Sequence, residues 1–270
     1  MAALHKALTI AGSDTSGGAG MEADMKTFEE LGVYGLTALT CIVAQNPEDW
    51  FHNVYPIELN VVEAQLKTVL DGIGIEAMKT GMLGSAALVE LVARTIDKYQ
   101  LKNVVIDPVM FCECIDTVMV PEAAEAIKAL LVQRCDIITP NTIEAAYLTG
   151  MEKVESLKDI REAAGRIREM GAKAVVIKGG ERLGTGEAVD VFYDGKEYKE
   201  LSVPLLKGAY NHGAGCTYSA SITAGLAKGL SLLESVELAK AFTTAALKES
   251  FVLNKFTGCT NHTAYRKHSA

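Results

Sequence analysis

The chain has 270 residues, 49% of them hydrophobic, 22% charged and 6% aromatic, which is enough apolar material for a sizeable core in one or two domains. With 26 Lys and Arg against 34 Asp and Glu the formal charge is −8, which argues against a nucleic-acid surface or an anionic-membrane surface, since phosphates demand clustered cations. Six cysteines, at 41, 112, 114, 135, 216 and 259, show neither a paired zinc spacing nor the density of a disulfide scaffold, so they read as free thiols.

In chain order, short runs rich in β-branched residues alternate with helical periodicities. A strand is expected over 7–10, a helix over 20–30, a strand over 36–43, a helix over 62–70 and a strand over 75–78. A helix over 86–99, a strand over 104–106, a helix over 122–131, a strand over 137–139 and helices over 142–148 and 160–170 follow. After a strand over 175–177, the stretch AVDVFYDGKEYKELS predicts a hairpin about a type I′ turn at Asp194-Gly195. Helices over 216–228 and 232–252 complete the chain. Such alternation predicts α/β architecture: one doubly wound, mostly parallel sheet flanked by helices, with a small antiparallel hairpin at one side. Ligands of such a sheet gather at the carboxyl ends of its strands. The N-terminus breaks at Gly12, Ser13 and Asp14 before a signal-peptide core is complete, and no apolar run reaches membrane-spanning length, so a cytoplasmic protein without membrane contact is expected.

The first glycine-rich stretch, AGSDTSGGAG at 11–20, follows a strand and opens a helix. Met21 after Gly20 excludes a P-loop, and the second strand ends in Val43-Ala44-Gln45-Asn46 without the acidic ribose partner of a dinucleotide site. It reads as a tight loop that lets a small ligand approach backbone. The stretch Asn211-His212-Gly213-Ala214-Gly215-Cys216-Thr217 precedes a helix of small residues and is built to hold an anion, because successive N–H groups and the helix dipole converge on one point. Cys216 at that helix start is expected to have a depressed pKa and to serve as base or nucleophile; a small cysteine in a helix cap is the plain alternative.

Asp107, before Pro108 and Val109, ends a strand facing the crevice, where it could bind a metal, bind a phosphate through one, or cap a helix. Asn141 and Glu144 have capping-box spacing. Lys178 stands at a strand tip followed by two glycines, free to reach a polyphosphate. Cys112 and Cys114 are too close and too isolated for a metal site and read as surface thiols or a reactive mobile loop. His5, His52, His262 and His268 have no constellation around them and are assigned to solvent or ordinary hydrogen bonding, whereas His212 adjoins the anion cradle.

Four stretches, AGSDTSGGAGMEADMKTFEELGVYG, VAQN with KTGMLG, VVIDPVM and HGAGCTYSA, together resemble the ribokinase superfamily, in its branch of hydroxymethylpyrimidine kinases and pyridoxal kinases, over essentially the whole chain. The resemblance implies a single ribokinase-like kinase domain over 1–270 with a short lid at 110–118, ATP as donor, Mg²⁺ as partner and a hydroxymethyl group on a small heteroaromatic ring as acceptor. It leaves room for a monovalent cation and implies a homodimer. It assigns the anion hole to Gly213, Ala214, Gly215 and Cys216, with Cys216 where most relatives have an Asp base. By it, Asp107, Asn141 and Lys178 bind nucleotide, Glu144 and Asp107 hold the metal directly or through water, and Asp24, Gln45, Met82 and Val109 contact the acceptor. Cys112 resembles a lid thiol that works with Cys216 and His212 in pyridoxal kinases, with Cys114 as an alternative. B6 vitamers are the expected acceptors; hydroxymethylpyrimidine and its monophosphate, or both classes, are the alternative. A nucleotide or vitamin sensor without catalysis is a third reading.

Overall fold

The computed structural model describes residues 4–110, 119–184 and 186–268; Cys112 and Cys114, and with them most of the expected lid, lie outside the described residues. In chain order the elements are β1 Lys6–Asp14, α1 Gly20–Glu30, β2 Tyr34–Gln45, β3 His52–Pro56, α2 Leu59–Gly72, β4 Ala77–Thr80, α3 Ala86–Tyr99, β5 Val104–Ile106 and α4 Pro121–Ala126. There follow β6 Ile137–Ile138, α5 Thr142–Thr149, α6 Leu157–Glu169, β7 Val175–Lys178, β8 Glu187–Tyr193 and β9 Tyr198–Pro204. The chain ends in α7 Ala214–Ala227, α8 Leu232–Lys248, β10 Phe251–Val252, β11 Gly258–Cys259 and α9 Ala264–His268. The contacts divide the chain into two compact units, Met1–Gly84 with Leu206–Ala270, and Ser85–Leu205.

In the first unit β1 runs parallel to β2 on one side and to β4 on the other, and β3 pairs antiparallel with β2. Ala7, Leu8 and Ile10 of β1 have no exposed surface, as expected of a central strand covered on both faces. Helix α7 is buried from Thr217 to Ala227, and its Ala, Ser, Gly and Thr residues let it pack closely against α1 and α8. Ser219, Ser221 and Thr223 satisfy their buried hydroxyls on carbonyls one turn back.

In the second unit β5, β6 and β7 are parallel, and β8 and β9 continue antiparallel from β7. The buried runs Val104–Ile106 and Val175–Ile177 make these central strands apolar throughout.

Three expectations need correction. The hairpin does not turn at two residues: Tyr193 pairs with Tyr198, leaving a four-residue loop in which Asp194 accepts N–H bonds from Lys196 and Glu197. Of the two residues at the expected turn only Gly195 has positive φ, so the type I′ requirement is unmet. The helix expected over 232–252 ends at Lys248; Ser250 accepts the N–H of Tyr210, and Phe251–Val252 pairs with Gly258–Cys259. The helix expected over 122–131 is regular only to Ala126 and then widens over Ile127–Leu131.

Candidate active site

In the first unit, the tip of β1, the tip of β2 and the loop before α7 meet on one carboxylate. Asp14 is 5% exposed. Its Oδ1 accepts from the Ser16 N–H at 2.9 Å and Gln45 Nε2 at 2.7 Å. Its Oδ2 accepts from the Ser16 hydroxyl at 2.7 Å and the Ala19 N–H at 2.9 Å, and lies 2.8 Å from His212 Nε2. Burial alone would raise the Asp14 carboxyl, but the hydrogen bonds from His212, Ser16 and Gln45 outweigh it and hold the group well below the ordinary carboxylate range. Glu22, in the first turn of α1, receives the Ser13 hydroxyl and the Asp14 N–H and so fixes the strand tip from below.

The expected anion cradle begins at Gly213, whose φ of +83° starts α7 in the left-handed region that glycine tolerates. A Cβ there would strike the carbonyl of Gly18, and a Cβ on Gly18 would strike Cys259 Sγ and His212 Cδ2, so both glycines are required by close approach of the two loops. The Ala214 N–H is engaged by the Asn211 carbonyl at 2.9 Å. Gly215 and Cys216 belong to the first helical turn, which has no intrahelical carbonyl ahead of it. Cys216 is half-buried. Cys41, Cys135, Cys216 and Cys259 are all free thiols.

Gln45 and Met82 are half-buried; the Met82 carbonyl accepts from the Thr40 hydroxyl at 2.8 Å. Asp24 departs from its expected place. It has no exposed surface, pairs with Lys79 at 2.7 Å and accepts from the Thr9 hydroxyl at 2.6 Å. A side chain so enclosed holds the unit together and offers no face to an acceptor ring. His262 is also buried, 2.9 Å from the Thr217 hydroxyl, and burial with the nearby Lys26 charge lowers it to about 4.

In the second unit, Asp107 at the end of β5 lies 3.4 Å from Lys178 Nζ at the end of β7 and accepts from the Thr139 hydroxyl at 3.1 Å. Asn141 and Glu144 form the complete capping box of α5: Asn141 accepts from the Ile143 and Glu144 N–H groups, and Glu144 accepts from the Asn141 N–H at 2.9 Å. The other Glu144 oxygen accepts from Met110 N–H at 3.3 Å. Burial raises Glu144 to about 7, with Lys178 opposing and Asp107 reinforcing the rise. Val109 is half-buried, its N–H turned back to the Asp107 carbonyl. Asp107, Asn141, Glu144 and Lys178 are thus brought together within this unit.

Sequence reasoning assigned no role to Asp14 or Thr139. An acid at the carboxyl end of the first strand was a usable signal for Asp14, whereas a threonine at a strand end carries none.

The model of the family described as phosphomethylpyrimidine kinase matches residues 14–261. The chain is 52% identical over 264 residues to pyridoxine kinase of Bacillus subtilis, covering 97% of each chain. An ADP complex of Bacillus subtilis pyridoxal kinase superimposes with a TM-score of 0.95 at 52% identity, covering 98% of this chain and 99% of that one. Pyridoxal kinase of Staphylococcus aureus in complex with AMP-PCP and pyridoxal gives a TM-score of 0.93 at 43% identity, covering 98% and 96%.

Proposed function

The chain belongs to the phosphomethylpyrimidine kinase family, and from that premise we propose that it transfers the terminal phosphoryl group of ATP to the 5-hydroxymethyl group of the B6 vitamers pyridoxal, pyridoxine and pyridoxamine. The observation that carries this reading is the match to a pyridoxine kinase at 52% identity across 97% of both chains. It is a kinase of a small heteroaromatic alcohol that takes ATP as donor. We further propose that the chain works as one kinase domain and as a homodimer.

Phosphoryl transfer asks mainly for alignment and charge neutralisation, and each unit holds groups suited to part of that task. In the first unit the N–H groups at the start of α7, from Gly213, Ala214, Gly215 and Cys216, hold the migrating phosphoryl oxygens; Gln45 and Met82 hold the acceptor. Ala214 releases Asn211 if its N–H is to join them. With pyridoxal, the Cys216 thiolate adds to the aldehyde carbon; the S–C bond forms, the C=O π bond breaks and the oxygen takes a proton, giving a hemithioacetal. Cys112 and His212 carry away the proton of the hydroxymethyl group. In the second unit Lys178, Asp107 and Asn141 hold the nucleotide phosphates, and Val109 borders the acceptor.

Mg²⁺ is the metal this reading implies, and Asp107 with Glu144 fits it. Two carboxylates are what Mg²⁺ ordinarily takes from a protein before phosphate and water complete its shell. Burial, reinforced by the Asp107 charge, raises Glu144 to about 7, and a cation beside the two carboxylates would favour their ionised forms. Each Glu144 oxygen accepts one backbone N–H bond and keeps a further lone pair, so Glu144 would hold the ion directly or through water. When bound, the ion neutralises charge on the phosphoryl oxygens.

A coupled assay of ADP release, run with pyridoxal, pyridoxine, hydroxymethylpyrimidine and the pyrimidine monophosphate in turn, tests the reading. Release that depends on the B6 vitamers is expected. Release with the pyrimidines alone would assign the chain to the activity for which its family is named, and none with any alcohol would leave a sensor.

A further inference from the structure

The first unit holds a cavity of about 570 Å³ that none of the groups proposed above for phosphoryl transfer lines. It lies between the 16–18 loop and α1 on one side and residues 251–263 on the other. Pockets for small molecules run from roughly 300 to 1,000 Å³, so this one has room for a substituted ring. Met25 of α1, with Phe251 and Leu253, gives it an apolar wall.

His262 borders the same cavity and is only 5% exposed. The Thr217 hydroxyl donates to the Gly213 carbonyl at 2.8 Å, so His262 Nε2 carries the proton in the 2.9 Å contact between the two side chains. Burial and the nearby Lys26 charge keep the ring neutral, which leaves a lone pair on Nδ1. No described residue donates to Nδ1, and it is not among the unpartnered side-chain atoms sealed from solvent. Its accessible surface therefore opens where the ring borders the cavity. An enclosed acceptor left unpaired is costly, and here the donor has to come from whatever fills that space.

Three charged side chains of α1 complete the lining. Lys26 donates to the Gly17 carbonyl at 2.6 Å, and Glu30 is paired with Arg266. Glu29 has no ionic partner among the described residues. It stands three residues beyond Lys26, about 4.5 Å further along the helix axis, which a single substituted ring can span. We propose that this cavity is a second binding site, for a small aromatic amine bearing a hydroxyl: the ring lies on Met25, Phe251 and Leu253, the hydroxyl donates to His262 Nδ1, and the ammonium meets Glu29.

The test is ¹⁵N NMR of the histidine rings in the full-length wild-type protein, titrated near neutral pH with 3-hydroxybenzylamine. In the free protein His262 should be the Nε2–H tautomer. The probe should displace the His262 Nδ1 resonance saturably, with Kd on the order of 1 mM for so small a ligand. Benzylamine, which lacks the hydroxyl, should bind about fivefold more weakly and leave Nδ1 where it was. Glu29 is exposed, so Glu29→Gln should fold normally and weaken 3-hydroxybenzylamine by about threefold. An Nδ1–H tautomer in the free protein would overturn the proposal, as would equal affinity for the two amines or an unchanged affinity in Glu29→Gln. So would an Nδ1 resonance that never saturates well above the expected Kd, which would leave the cavity to water alone. Neither ATP nor an alcohol acceptor is present in the titration, so its outcome is separate from that of the kinase assay.

Discussion

A lysine with no exposed atom must be neutralised where it lies, and Lys79 is neutralised by Asp24, which is equally enclosed. Breaking such a pair leaves one charge buried without its partner, so Lys79→Met should destabilise the protein by about 3 to 5 kcal/mol. Replacing both residues, with Asp24→Leu beside Lys79→Met, removes the stranded charge and should recover most of that loss in urea unfolding. If Asp24 serves only the core, the double variant keeps its KM for pyridoxine; a large rise in KM would return Asp24 to the acceptor site. This pair marks where sequence reading stops. Asp24 sits one turn into α1, and whether it faces the crevice or the core depends on how α1 rolls against β1 and β4. No spacing within the chain encodes that roll. Asp14, by contrast, stood in a quoted motif at a strand end, and its importance emerges only when residues 45 and 212 are seen to reach the same carboxylate.

Helix α5 has only eight residues, short enough for its cap to decide whether it forms. Asn141→Ala should therefore cost about 1 kcal/mol of stability, while Asn141→Ser, which can cap as well, should restore it. The two variants also separate capping from nucleotide binding. If Asn141 touches ATP as proposed, KM for ATP stays raised in both variants although Tm recovers in the serine one; recovery of both together would leave capping as its whole role. The box itself was legible because both its members lie within four residues of chain. The same locality explains why α1 and α3 begin and end where expected, and why strand β5 does. Long-range pairings were less visible. Strand β3 was not expected because His52–Pro56 is mostly exposed and owes its form to pairing with β2. Likewise Phe251–Val252 prolongs a helix by composition and becomes strand only because Gly258–Cys259 is there to receive it.

Glu144 in the second unit and His262 in the first are buried groups whose displaced ionisations act on stability with opposite sign. Glu144, in the second unit, is raised from 4.5 to about 7. Between those values the unfolded chain has released a proton that the folded one keeps, so stability falls as pH rises from 4.5 to about 7, by about 3 kcal/mol in all. His262, in the first unit, is lowered from 6.5 to about 4 because burial disfavours its charge. The Thr217 hydroxyl spends its proton on the Gly213 carbonyl, so His262 Nε2 is the donor in their contact, while burial is what keeps the ring neutral. Here the unfolded chain binds the extra proton, so stability falls as pH drops from 6.5 towards 4, by a similar amount of about 3 kcal/mol. In the metal-free protein the two slopes oppose one another across nearly the same window. Glu144→Gln keeps an acceptor for the Asn141 N–H and should leave the histidine's slope uncovered, with Tm rising from pH 4 to 6.5. His262→Gln should do the reverse, with Tm falling from pH 4.5 to 7 as Glu144 is forced to ionise. Tm measured against pH for the three proteins decides between this and unperturbed groups, for which both variants would follow the wild-type profile. Asp14 lies outside the contest: its carboxyl is held below the ordinary range, so its contribution is complete above 3.8 and is lost only in stronger acid.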